Sequence, residues 1–202
     1  MADAERLSAE DEPYHREPIT YEAPYLDNLP TAPREKFAAN IAAIQKLKEI
    51  EQRVANGGSP AFEDEQKILA QYTGWGGLSD AFDPNKSAWS NEYSQLKAAL
   101  SESEYEAARS STLTAFYTPA TVIHPIYRAL ERFGVKGGKI LEPSMGTGAF
   151  LAHGHFGSSD AKFYGVELDS ITGRISKQLY QKANIQVTGY ENALLPDNYF
   201  DC

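Results

Sequence analysis

The stretch Ile140-Leu141-Glu142-Pro143-Ser144-Met145-Gly146-Thr147-Gly148-Ala149-Phe150 decides the fold. Residues 139–142 read as a short strand, the following residues as a Gly-rich turn, and 148–153 as the start of a helix. Downstream the elements alternate. Phe163-Tyr164-Gly165-Val166-Glu167 reads as a strand, and 170–183 as a helix with Ile171, Ile175 and Leu179 on one side. Residues 185–187 read as the next strand. Residues 199–202 read as the beginning of another, so the spacing predicts a sheet that continues past Cys202. Strand–helix alternation at this length predicts an α/β, Rossmann-like, doubly wound parallel sheet over 113–202.

Upstream the pattern is helical. Val122, Ile123, Ile126, Tyr127 and Leu130 mark a helix that starts after Thr118-Pro119, closes at Gly134 and carries Pro125 inside it, where a kink is expected. Phe37, Ile41, Ile44, Leu47, Ile50 and Val54 recur at spacings of three and four, which places one apolar stripe on a helix over 31–56. Thr31 is a candidate cap for it, and Asn56-Gly57-Gly58 supplies its stop. Ser59-Pro60 predicts the start of a second helix, running to Tyr72. A third covers 90–100, and Ser101-Glu102-Ser103-Glu104 is a capping box for a fourth over 102–110. Residues 31–112 therefore read as an all-helical subdomain. Residues 1–30 hold four prolines and read as a disordered acidic leader, in which Tyr14, Tyr21 and Tyr25 are candidate docking residues.

The net charge of −9 is uneven. The leader holds eight acids against two bases, whereas 31–202 holds 20 acids against 17 bases and is nearly balanced. Without a run of lysines or arginines, this chain alone is not expected to grip nucleic-acid phosphates strongly. No run approaches the roughly 18 apolar residues of a membrane span. With the single cysteine Cys202 and an N-terminus lacking an apolar run, the expected location is the cytoplasm.

The Gly-rich turn carries the chemistry. In a doubly wound sheet it lies at the carboxyl end of the first strand, where ligands bind. The third glycine of a dinucleotide fingerprint would fall at Leu151, so that pattern is incomplete. Glu142 precedes the glycines, where it would repel a pyrophosphate and suit an amino-bearing ligand. Glu167 lies 19 residues after Gly148 at a strand end, a position suited to a ribose diol. Glu191, in Gly189-Tyr190-Glu191-Asn192, is placed to accept from an exocyclic adenine amine. An amino-acid end, a ribose and an adenine together describe S-adenosylmethionine.

Taken in order, Phe116-Tyr117-Thr118-Pro119, Leu141-Glu142-Pro143-Ser144-Met145-Gly146-Thr147-Gly148, Gly165-Val166-Glu167 and Gly189-Tyr190-Glu191 resemble the cofactor-binding motifs of N6-adenine DNA methyltransferases, in the motif order of the gamma class. The segments 65–82 and 104–115 look like the N-terminal part of large methyltransferase–helicase proteins of phages and conjugative elements. The resemblance spans 31–202, with Met145 a departure from the small residue often found there. It implies that Tyr117, Thr118 and Pro119 border the methionine end of the cofactor. Glu142, Pro143, Gly146 and Gly148 would form its floor, Glu167 would take the ribose hydroxyls, and Glu191 would face the adenine amine. It also implies DNA as substrate, bound mostly through regions outside this chain, and a helicase domain in the same protein. The family's catalytic Asn-Pro-Pro-aromatic segment has no counterpart in these residues and is expected beyond Cys202, so the chain by itself is expected to be inactive.

Other readings compete. One is a non-catalytic interaction module; another is a methyltransferase of protein glutamine or RNA. A nicotinamide enzyme is disfavoured by Leu151 and by the place of Glu142. His153-Gly154-His155 has no neighbouring Cys and no acids at ligand spacing, so no metal is expected. His124 and Trp75 read as packing residues, and Ser110-Ser111 lacks a nucleophilic setting.

Overall fold

A computed structural model of the chain describes residues 17–21, 29–154 and 161–202. Helix α1 (Pro33–Ala55) is set by Pro33 in its first turn and carries no side-chain cap, so Thr31 does not serve as one. Helix α2 (Glu63–Leu69) starts later than Ser59-Pro60 suggests. The reason is Arg53, which grips Glu65 through two short contacts of 2.7 and 2.6 Å while Glu65 Oε2 accepts the Phe62 N–H at 2.9 Å. Helices α3 (Ser90–Ala99) and α4 (Glu102–Ser111) follow. The expected capping box is present: Ser101 Oγ accepts the Glu104 N–H at 3.3 Å, and Glu104 Oε2 accepts the Ser101 N–H at 2.8 Å.

Helix α5 (Ala120–Arg132) leads into strand β1 (Lys139–Glu142), helix α6 (Ala149–His153), strand β2 (Lys162–Glu167), helix α7 (Ser170–Leu179) and strand β3 (Asn184–Val187). The sheet is parallel in the order β1-β2-β3, with Leu141 beside Tyr164 and Gly165 beside Ile185. Residues 201–202 do not form a ladder strand. They do lie along the free edge of β1, where Asp201 N–H donates to the Lys139 carbonyl at 2.9 Å and Leu141 N–H to the Cys202 carbonyl at 2.8 Å. The chain therefore turns back across the sheet, to the edge of β1 opposite β2.

The winding is narrower than a doubly wound sheet. Phe163 of β2 packs against both apolar clusters, the one built by α6 and α7 and the one built by α5, so these helices share one face. On the other face Tyr164 meets the rings of Tyr199 and Phe200. Successive right-handed crossovers in one direction put their helices on one side, and a second layer needs crossovers in the opposite direction.

The helical region and the sheet share a core across the boundary expected at 112. Phe37, Ile44, Leu47, Trp75 and Leu96 belong to the same buried cluster as Ile171, Ile175, Leu179 and Ile185. Glutamines stitch the layers together. Gln66 Nε2 donates to the carbonyls of Gln178 (2.8 Å) and Leu179 (3.1 Å), and Gln178 Oε1 accepts the Ala61 N–H. The Leu179 carbonyl also accepts the Tyr21 N–H, and Thr20 bridges Tyr180. These partners take up the last carbonyls of α7 and end it at Leu179, short of the expected 183. Residues 17–21 of the expected leader thus dock on α7, with Tyr21 buried. Tyr14, Tyr25 and His155 lie outside the described residues. No helix among the described residues is long and apolar enough to cross a membrane.

An ionic cluster pins α7 to α1 and α4. Arg174 holds Glu51 through both carboxylate oxygens and Glu104 at 2.6 Å, and Lys48 reaches Glu104 at 3.1 Å. Burial alone would raise the Glu104 pKa, but Arg174, the Ser101 N–H and Lys48 outweigh it and hold it at about 2. A depressed carboxylate stabilises the fold above its unfolded pKa, near 4.5, and that contribution is lost as pH falls toward about 2. With screening by solvent it is worth about 2 kcal/mol. Acid unfolding followed by circular dichroism should show this loss in the wild type and not in Glu104→Gln. Acid limbs that coincide in the two proteins would refute the assignment.

Candidate functional site

An open cavity of about 530 Å³ lies at the carboxyl end of β1 and β2, between the sheet and the end of α4. It falls in the size range of small-molecule sites. Tyr117, Gly146 and Glu167, all expected site residues, line it together with Ser144 and Asp169.

The Gly-rich turn explains its floor. Met145 to Gly148 are buried, with Gly146 at φ +54° and Gly148 at φ +82°. The ring of Tyr117 lies against Gly146, so that a Cβ there would come within 2.8 Å of it. The same tyrosine closes on Gly74, at φ +68°, where a Cβ would meet its hydroxyl at 2.7 Å. Tyr117 is therefore held between two glycines far apart in sequence. This accounts for the Thr73-Gly74-Trp75-Gly76-Gly77 loop, which props the cavity wall. Trp75 is buried and packs edge-on against Phe37, Tyr72 and Phe82, as a packing residue should.

Asn40 was not singled out by the sequence. It is fully buried on α1, donates to the Gly74 carbonyl at 2.7 Å and accepts the Thr73 N–H at 2.8 Å. The available signal was an amide within the apolar stripe, three residues after Phe37 and four before Ile44.

Hydrogen bonding fixes the character of the cavity. Gly146 N–H donates to Glu167 Oε2 at 2.8 Å and Asp169 N–H to Glu167 Oε1 at 2.8 Å. Burial raises the Glu167 pKa above the usual carboxylate range, and these backbone donors pull it partly back. A carboxylate offers about four lone-pair sites, so acceptor capacity remains. Asp169 caps α7 by accepting the Thr172 N–H at 2.7 Å and its hydroxyl at 2.6 Å. With its proton committed to Asp169, the Thr172 hydroxyl accepts from Tyr117 at 3.5 Å. Burial raises the pKa of Tyr117 and keeps the phenol neutral.

Two electrostatic facts follow. Glu167 and Asp169 line the cavity, and among the described residues no lysine or arginine does. The Gly146 N–H, which a phosphate would need, is spent on Glu167. The cavity thus suits a cationic or hydroxyl-bearing ligand and repels a phosphate.

The remaining expected residues are placed less centrally. Glu142 ends β1 half-buried, its pKa raised by burial against an opposing Ser144 N–H, and it does not line the cavity. Pro143 is exposed in the turn, and Thr118 is exposed beside Tyr117. Pro119 is the cap residue of α5. Gly148 serves α6 and faces the ring of Tyr180. Glu191 is exposed, accepts from the Asn192 side chain at 3.1 Å and lines no part of the cavity. It lies in the short turn Tyr190–Asn192, beyond the end of β3 at Val187. His124 meets His153 across 3.1 Å, and among the described residues no cluster of three metal-ligating side chains exists.

No family model matches the chain, and no solved structure does. The chain is similar to the protein named "Defense against restriction protein B" of Escherichia phage P1, at 26% identity over 189 residues. The match covers 93% of this chain and 7% of that protein, so the chain spans a small part of the length of this relative.

Proposed function

We propose that these residues bind S-adenosylmethionine and form the cofactor-binding portion of a larger DNA adenine N6-methyltransferase. The observation that carries the reading is the cavity at the β1 strand end, walled by Tyr117 and two carboxylates and free of cations among the described residues. S-adenosylmethionine carries a sulfonium, an ammonium and a ribose diol and lacks phosphate, which matches that lining. When bound, it supplies a methyl group on a cationic sulfur, open to attack by an amine.

The chain's own residues bind and orient. Glu167 offers its remaining lone pairs to the ribose hydroxyls while its other bonds fix the Gly-rich turn. The Tyr117 ring would cover the methionine end, and Glu142, which ends β1 outside the cavity lining, would act on the amino group only at longer range. The residues that activate the adenine amine belong to the Asn-Pro-Pro-aromatic segment that these 202 residues do not contain. A phage relative named for defence against restriction fits a role in marking DNA.

Calorimetric titration with S-adenosylmethionine tests this. Glu167→Ala should weaken binding by about 1–3 kcal/mol, the scale of a lost charged acceptor. A folded wild-type chain that takes up no cofactor would overturn the reading.

A further inference from the structure

The loop 73–77 seats the segment that carries Tyr117. It meets that segment at three points. A Cβ on Gly74 would touch the Tyr117 hydroxyl, one on Gly76 would come within 2.2 Å of the Ala115 carbonyl oxygen, and the Gly77 N–H donates to the Thr112 carbonyl at 3.0 Å. Gly74 and Tyr117 both line the cavity. Asn40 holds the loop from behind. Its amide donates to the Gly74 carbonyl at 2.7 Å, and its oxygen accepts the Thr73 N–H at 2.8 Å and the Thr73 hydroxyl at 3.3 Å. The flanking residues of the α1 stripe, Phe37, Ile41 and Ile44, are buried and apolar, so packing alone asks for an aliphatic side chain at this position. These bonds give α1 nothing, because each of them ends in the loop. Trp75, the large side chain of the loop, is buried with its indole N–H unpartnered among the described residues. It supplies packing, and the directional hold comes from Asn40.

We infer that Asn40 is a positioning residue of the ligand site: it fixes Thr73 and Gly74, Gly74 fixes the Tyr117 ring, and the ring closes on Gly146 at the cavity floor. The identity of the ligand rests on the S-adenosylmethionine reading. The inference gives the helical region a part in binding that the cofactor motifs do not describe. The affinity of the site then depends on one buried amide that touches no ligand.

The test is Asn40→Asp in the full chain. A protonated carboxyl there can accept the Thr73 N–H and donate to the Gly74 carbonyl, as the amide does. An ionised one can only accept, and it faces the carbonyl oxygen it should serve. Burial disfavours the charged form, so the change falls above the usual carboxylate range. Calorimetric titrations with S-adenosylmethionine from about pH 5 to about pH 8.5 give the affinity of the variant relative to the wild type at each pH. The variant should bind within about threefold of the wild type at the acid end and about tenfold or more weaker at the alkaline end. A merely structural role would lower the stability of the variant as pH rises and leave the relative affinity of the folded chain flat, so a flat profile overturns the inference. A relative affinity that rises with pH would mark a charge acting on the ligand itself and overturn it too. Asn40→Ala, which adds no charge, decides the matter if the ionised variant unfolds. Folded by circular dichroism, it should bind about fivefold or more weaker across the range, and unchanged binding would overturn the inference. Each of these failures leaves the cofactor reading standing. A folded wild type that takes up no S-adenosylmethionine would overturn that reading itself, and this inference with it.

Discussion

Tyr117→Ala is expected to destabilise the chain by about 3 kcal/mol and to reduce S-adenosylmethionine binding at least about tenfold. The ring is the spacer between the Gly74 loop and the Gly146 turn. Both glycines have positive φ, so neither segment can move in to fill the gap by taking a larger residue without strain. The cost comes from the unfilled slot, and the binding loss from a wall that no longer has a fixed position. Tyr117→Phe is the informative partner. It keeps the ring and gives up one long hydrogen bond, 3.5 Å to Thr172, so it should stay within about 1 kcal/mol of the wild type. Thermal and denaturant unfolding of the two variants measures this. If Phe proves as damaging as Ala, the hydroxyl and not the ring holds the site, and the packing argument fails.

Gly148→Ala is expected to cost about 3–4 kcal/mol from two separable sources. Its φ of +82° lies in the left-handed region, which costs an alanine about 1–2 kcal/mol. A Cβ there would also come within 2.2 Å of the buried Tyr180 ring, which would have to shift. The two sources divide in a double-mutant cycle. In a Tyr180→Leu background the clash is gone and Gly148→Ala should cost only the backbone part, giving a coupling of about 1–3 kcal/mol. Strict additivity would show that Tyr180 is not the obstacle.

Tyr180 also shows why parts of the site could not be read along the chain. Its contact with Gly148 spans 32 positions, and Tyr117 meets Gly74 across 43. Motif spacing identifies a glycine that has no room for a side chain. It does not say which ring takes the room. The same limit applies to α2. Ser59-Pro60 is a good local start signal, yet the Arg53–Glu65 pair moves the start to Glu63. Glu191 shows the same limit: the strand it was expected to end stops at Val187, and the residue lies in the short turn Tyr190–Asn192, outside the cavity lining.

What the sequence determined by itself was periodic or strictly local. The apolar stripe of α1, the Ser101–Glu104 capping box, the three short strands with their intervening helices and the Gly-rich turn after β1 all depend on residues within a few positions of one another. Local propensity and hydrophobic period are written in the chain. The tertiary structure alone decided that the helical region and the sheet share one core, that the helices cover one face, and that α4 walls the cavity. It also decided that Glu167 spends two of its bonds on backbone. These depend on which surfaces meet once apolar area is buried, and on where each carboxylate then finds its nearest donors.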